Sequence, residues 1–146
     1  MAALDLTTQP GHLARRLQQA HTLLWNTLVS EETTSPQFAV LNAVAASDDL
    51  DQRAVGELIR LDRSTTAEIV TRLCDCGLLR RVRDPRDGRR NLLRLTDEGK
   101  AMHRQTARRA ARMNKVFLAP LDPAEQRVLL ELMLRLVSAA DRGDPR

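Results

Sequence analysis

The chain has 146 residues, 42% of them apolar and 29% charged, which is enough for one folded domain with a core and excludes global disorder. No run approaches the roughly 18 uninterrupted apolar residues of a membrane span, and Met1–Gln9 lacks the basic start and apolar stretch of a secretory leader, so a cytoplasmic protein with no membrane partner is expected. A net charge of +4 conceals a basic middle: residues 53–115 carry 17 basic and 8 acidic side chains, whereas residues 1–52 carry 2 and 6.

Six helices and one hairpin are expected in chain order. Leu13, Leu17, Leu24 and Leu28 recur at helical spacing and predict a first helix from about His12 to Val29 with a core-facing leucine stripe. Ser35 as N-cap and Pro36 as first helical residue open a second helix that ends near Ser47. Asp51 caps a short third helix over 52–60. After a break at Leu61-Asp62 a fourth runs over 63–76, with Gly77 as its C-terminal stop and Ala67, Ile69, Val70 and Leu73 on its core face. Leu78–Asp84 and Asn91–Thr96 read as strands, and Pro85 with Asp87-Gly88 marks the turn between them. Thr96-Asp97 starts a fifth helix to about Leu118. Asp122-Pro123-Ala124-Glu125 supplies cap, proline and capping-box glutamate for a sixth, to about Ala140, ahead of a tail frayed over Arg142–Arg146. The sixth helix is apolar on too broad a face for a single neighbour, so a second chain is expected against it.

A short helix, a tight turn, a polar-faced helix and a basic hairpin together make a winged helix-turn-helix. The fold class is therefore mainly α with a small β-hairpin. Of the 23 basic residues 21 are arginine, the side chain suited to phosphate and guanine contacts. Arg63, Ser64, Thr65 and Thr66 stand at the start of the fourth helix, where base edges and phosphates are met, and Arg72 lies further along its polar side. Arg86, Arg89 and Arg90 at the hairpin tip suit a minor groove, and Asp87 is expected to orient a neighbouring arginine. Double-stranded DNA is the expected partner. Trp25, Phe38 and Phe117 are the only Trp, Tyr or Phe residues, too few for a base-stacking single-strand binder.

The run from Asp84 to Gly99 (DPRDGRRNLLRLTDEG) resembles the wing signature of the MarR family. Ser35–Leu41 and Leu61–Thr66 are similar to its second-helix and recognition-helix motifs, as are Arg72-Leu73 and Gly77-Leu78, and the likeness covers about residues 12–141. It implies a homodimeric regulator of one domain over 1–146. The winged lobe would span about 35–98, and helices at 11–30 and 97–141 (the first, fifth and sixth) would pair two chains over a pseudo-palindromic operator. The family's wing-tip arginine corresponds to Arg89 and its supporting aspartate to Asp87.

On the first helix Arg15, His21 and Trp25 share one flank beside the leucine stripe, and Gly11 lies at its start. An arginine clamps a carboxylate, a histidine bonds a ring hydroxyl and an indole walls a flat ring; Asn114 on the fifth helix is a polar interruption able to complete such a pocket. The run from Pro10 through Trp25 resembles the aromatic-acid-responsive members of the family, the protocatechuate-responsive repressors above all. That implies a repressor released from DNA by a small aromatic carboxylic acid, with Arg15 on the carboxylate and His21 on a ring hydroxyl. Two alternatives stand beside it: a ligand-independent DNA-binding regulator, and a thiol-redox regulator acting through Cys74 or Cys76. No enzyme and no cofactor or metal are expected, because the three histidines 12, 21 and 103 form no HExxH and there is no GxSxG or phosphate-binding glycine loop.

Overall fold

The structure, a computed structural model, describes residues 5–143; residues 1–4 of the N-terminal stretch and 144–146 of the tail expected to fray lie outside them. A 3₁₀ turn at Leu6–Thr8 precedes α1 (Pro10–Leu28). Then follow α2 (Ser35–Ala46), α3 (Gln52–Ile59), α4 (Arg63–Asp75), β1 (Leu79–Arg83), β2 (Asn91–Leu95), α5 (Asp97–Leu118) and α6 (Pro123–Asp141). The chain divides into two compact units between Met113 and Asn114, and each is described by itself.

Local chemistry sets the helix ends. The expected cap of α2 moves back one residue: Thr34 Oγ1 accepts from the Gln37 N–H at 3.3 Å, and Gln37 Oε1 accepts from the Thr34 N–H at 3.0 Å. A cap at Ser35 would have put Phe38 at the position of the reciprocating side chain, so Thr34 is the residue that satisfies two orphan donors at once. Asp51 caps α3 through the Ala54 N–H at 2.8 Å, as expected. Gly77, at φ 71°, ends α4 with the Leu78 N–H returning to the Leu73 carbonyl at 2.9 Å.

The core of the first unit is built around α2, whose Val40, Leu41, Ala43 and Val44 are all buried. Val55 of α3, Val70 and Leu73 of α4, Leu79 of β1 and Leu93 of β2 complete it. Ala67 and Ile69 are half-buried at its edge. The two strands pair antiparallel with Arg81 opposite Leu93, and the segment before α3 adds to the other edge of β2 through the Leu93 N–H on the Leu50 carbonyl at 2.8 Å.

Two glycines allow close approaches. A Cβ on Gly56 of α3 would lie 2.8 Å from Thr66 Oγ1, so the helix-turn-helix packs through this pair. Thr66 is only 2% exposed, and its hydroxyl donates to the Asp62 carbonyl at 2.8 Å. Expected from sequence among the DNA-contacting residues at the start of α4, it faces inward instead. A Cβ on Gly99 of α5 would lie 2.0 Å from the Leu78 carbonyl oxygen, which already accepts the Thr96 N–H.

The leucine stripe of α1 also differs from expectation. Leu13, Leu17 and Leu28 are exposed and Leu24 is half-buried, while Trp25 is 4% exposed and fastens the helix. In the second unit, Asp122 caps α6 through the Ala124 and Glu125 N–H groups, and Glu125 returns to the Asp122 N–H at 2.9 Å. The Gln126 amide donates to the Leu118 and Leu121 carbonyls. No residue of α6 is buried; Leu130, Leu134 and Leu136 are 54%, 66% and 72% exposed.

Candidate nucleic-acid interface

The start of α4 is organised by Asp62. Its Oδ1 accepts from the Thr65 N–H at 2.9 Å and the Ser64 hydroxyl at 2.8 Å, and its Oδ2 accepts from the Thr65 hydroxyl at 2.6 Å. The Thr65 hydroxyl and N–H, then the Ser64 hydroxyl, hold the Asp62 carboxyl at about 2 against an ordinary 3.8. The stabilisation is fully present above pH 3.8 and is lost as pH falls toward 2. The Thr65 amide resonance is therefore expected to titrate near pH 2 in the folded protein, and titration near 4 would show that the cap is not formed. Both hydroxyls spend their protons on Asp62 and are left as acceptors, which suits them to accept from cytosine or adenine amino groups. Arg63 in this turn and Arg72 more than two turns further along α4 are both exposed, and neither guanidinium makes a hydrogen bond or ion pair among the described residues.

The wing divides its arginines into anchors and a free tip. Asp84, with its side chain 1% exposed, takes the Arg86 N–H at 2.8 Å, Arg86 Nε at 3.6 Å and Arg90 Nη1 at 3.3 Å. The Arg86 N–H, followed by the two guanidinium charges, keeps its carboxyl below the usual carboxylate range. Arg90 Nε reaches Asp51 at 3.1 Å, and Arg86 also pairs with Asp49, so the wing is tied to the segment leading into α3. Arg89 is exposed and its guanidinium makes no hydrogen bond or ion pair among the described residues. Sequence reasoning missed Asp84; the available signal was an acid at a strand end two residues before an arginine.

Asp87 plays a different part from the one expected. Its carboxylate accepts from the Arg89 N–H at 3.0 Å and its carbonyl from the Arg90 N–H at 3.0 Å, so it shapes the turn through the backbone and touches no guanidinium. Gly88 keeps out of the left-handed region, so the Asp-Gly pair does not form the mirror-image two-residue turn.

Of the α1 residues, His21 and Trp25 come together with ring centroids 6.1 Å apart. The row continues from Trp25 to Phe38 of α2 at 5.6 Å and from Phe38 to His103 of α5 at 5.6 Å, stacked at 13°. The Trp25 indole N–H donates to the Thr33 carbonyl at 2.7 Å, and His103 Nε2 meets Asn42 Oδ1 at 2.9 Å. Burial, then the Arg104 charge, pushes His103 below the ordinary histidine value, so its ring is neutral at pH 7. Arg15 is exposed, bonds His12 Nδ1 at 2.9 Å and makes no ion pair among the described residues. Gly11 is exposed with open space where a Cβ would stand, and Asn114 is exposed in the second unit. Neither Phe38 nor His103 was singled out from sequence. Cys74 is half-buried; burial pushes its thiol up despite Arg81 Nη1 at 3.6 Å, which argues against thiolate reactivity. Among the described residues no helix is long and apolar enough to cross a membrane.

The model of the MarR family matches residues 33–90, which take in the end of the loop before α2, the helix-turn-helix, and the first strand and tip of the wing. The transcriptional regulator HosA of Escherichia coli O111:H- is 32% identical over 136 residues, 93% of this chain and 100% of that protein. The PcaV transcriptional regulator of Streptomyces coelicolor, solved in complex with its natural ligand, superposes with a TM-score of 0.91 at 67% identity over 96% of this chain and 99% of that one. Bordetella bronchiseptica BpsR, solved to explain how 6-hydroxynicotinic acid regulates its DNA binding, is 26% identical with a TM-score of 0.86 over 93% and 98% of the two chains. The chain belongs to the MarR family of transcriptional regulators and has that family's winged-helix fold.

Proposed function

We propose that the protein is a homodimeric repressor that binds a pseudo-palindromic DNA operator and is released by a small aromatic carboxylic acid of the protocatechuate type. The observation that carries the DNA half is the set of exposed arginines whose guanidiniums have no hydrogen-bond or ion-pair partner among the described residues: Arg63 and Arg72 on α4 and Arg89 at the tip of an anchored wing. Buried or paired arginines would have to give up partners to reach DNA; these do not. Ser64 and Thr65 read base edges, Arg89 enters a minor groove, and Asp84 with Asp87 sets the wing. Pairing is supported by the exposed leucines of α1 and α6, which a second copy would cover. Two lobes then meet half-sites about one helical turn apart.

The effector half rests on Arg15 and on the ring row that begins at His21 and Trp25. A carboxylate replaces His12 on Arg15 with an ion pair. His21 takes a ring hydroxyl, Trp25 offers an aromatic edge, and Gly11 and Asn114 are the remaining candidates for the pocket. PcaV has a natural ligand and BpsR responds to a hydroxylated aromatic acid, which supports a ligand of this class. The acid stabilises a lobe spacing that fits the operator less well, and by linkage DNA weakens the acid as much as the acid weakens DNA. Arg15→Ala is expected to keep operator affinity within about threefold and to need at least about tenfold more acid for release, the loss of one carboxylate clamp. An unchanged dose would remove Arg15 from the effector site.

A further inference from the structure

We propose a second anion site in the winged lobe, in a cavity of about 400 Å³ between the end of α2, the β1–β2 pair and the first turns of α5, for a small molecule bearing two or more carboxylate or phosphate groups. Arg80 and Arg94 stand directly opposite one another in the strand register and both line the cavity. Like charges facing across a strand pair repel, and an anion between them turns that repulsion into attraction. Lys100 and Arg104, one turn apart on α5, supply two more cations.

The lining contains a single acid. Asp48 lies 3.8 Å from Arg94 Nε and is itself 95% exposed, so water screens most of its charge. Arg80 and Arg104 have no ion pair among the described residues. Val44 and Leu95 form an apolar part of the wall. A concave space of this size with convergent cations and an apolar wall suits a compact polyanion, whereas a DNA backbone is met by protruding side chains. No residue of α1 lines the cavity, which meets the ring row of the proposed effector pocket only at its far end, His103, so the anion-binding cations are distinct from Arg15. None of Arg63, Arg72 or Arg89 lines it.

The test is calorimetric titration of the full chain at fixed ionic strength with two probes, citrate and pyrophosphate. Saturable binding of at least one probe, one per chain, is expected. Affinity should fall at least tenfold in Arg80→Gln/Arg94→Gln and again in Lys100→Gln/Arg104→Gln, and stay unchanged in Arg53→Gln, an exposed arginine elsewhere. The first double variant removes a repulsive pair and is expected to melt no lower than the parent; the second keeps the test open if it does. No saturable binding, or equal loss in Arg53→Gln, would overturn the site. A smaller salt slope for DNA binding in Arg80→Gln/Arg94→Gln would overturn it too, by assigning the cleft to the DNA backbone. Loss of Arg15-dependent release by aromatic acid would leave this result untouched, because neither Arg15 nor any other residue of α1 lines the cavity.

Discussion

Gly99→Ala is expected to be the most destabilising single methyl that can be added to the lobe. The new Cβ falls 2.0 Å from the Leu78 carbonyl oxygen, which is backbone and has no rotamer to yield. Relief requires α5 to lift from the residue entering β1. That also strains two bonds at the same corner: the Thr96 N–H on the Leu78 carbonyl at 3.1 Å and the Thr96 hydroxyl on the Gly77 carbonyl at 2.5 Å. Overpacking of this kind costs about 3 kcal/mol, and for a chain of this length the melting temperature should drop by about 10 °C. Gly88→Ala is the matched control, because the nearest atom to its Cβ would be 4.0 Å away. Equal melting of the two variants would show that the corner is not packed as described.

Arg89→Ala should produce the largest loss of DNA affinity from a single substitution that leaves the fold intact. The guanidinium has no hydrogen-bond or ion-pair partner among the described residues, so its removal breaks no such contact there. In a homodimer the change removes two contacts per operator. Each phosphate-type contact contributes about 0.9 to the slope of log affinity against log salt, so the slope should fall by about 2, and affinity at about 0.15 M salt by roughly 30-fold. Arg86→Ala and Arg90→Ala should instead loosen the wing, because those guanidiniums bind Asp84, Asp49 and Asp51. Filter binding across a salt series separates the two cases. Unaltered affinity and slope in Arg89→Ala would take this residue out of the interface.

What the sequence made legible followed from local rules. Caps and stops such as Asp51, Gly77 and Asp122 act within four residues, and the helix-turn-helix and wing were placed by them to within a residue or two. What it hid depended on partners distant in sequence. Asp84 matters because the Asp49–Asp51 segment crosses to the wing and two arginines converge there. Thr66 looks like its neighbours Ser64 and Thr65 until the close approach of Gly56 turns it inward. The ring row of Trp25, Phe38 and His103 joins three helices and leaves no periodic trace. The α1 leucines show the opposite case: periodicity marked an apolar face correctly but did not say that it would stay uncovered within one chain.

The most direct test of a twofold, acid-released DNA reader is fluorescence anisotropy of a labelled duplex, selected by this protein from a random-sequence pool, titrated with protein in the presence and absence of millimolar protocatechuate. Two chains per duplex and an affinity reduced at least tenfold by the acid are the predicted result. One chain per duplex, or an isotherm that the acid leaves in place, would contradict it.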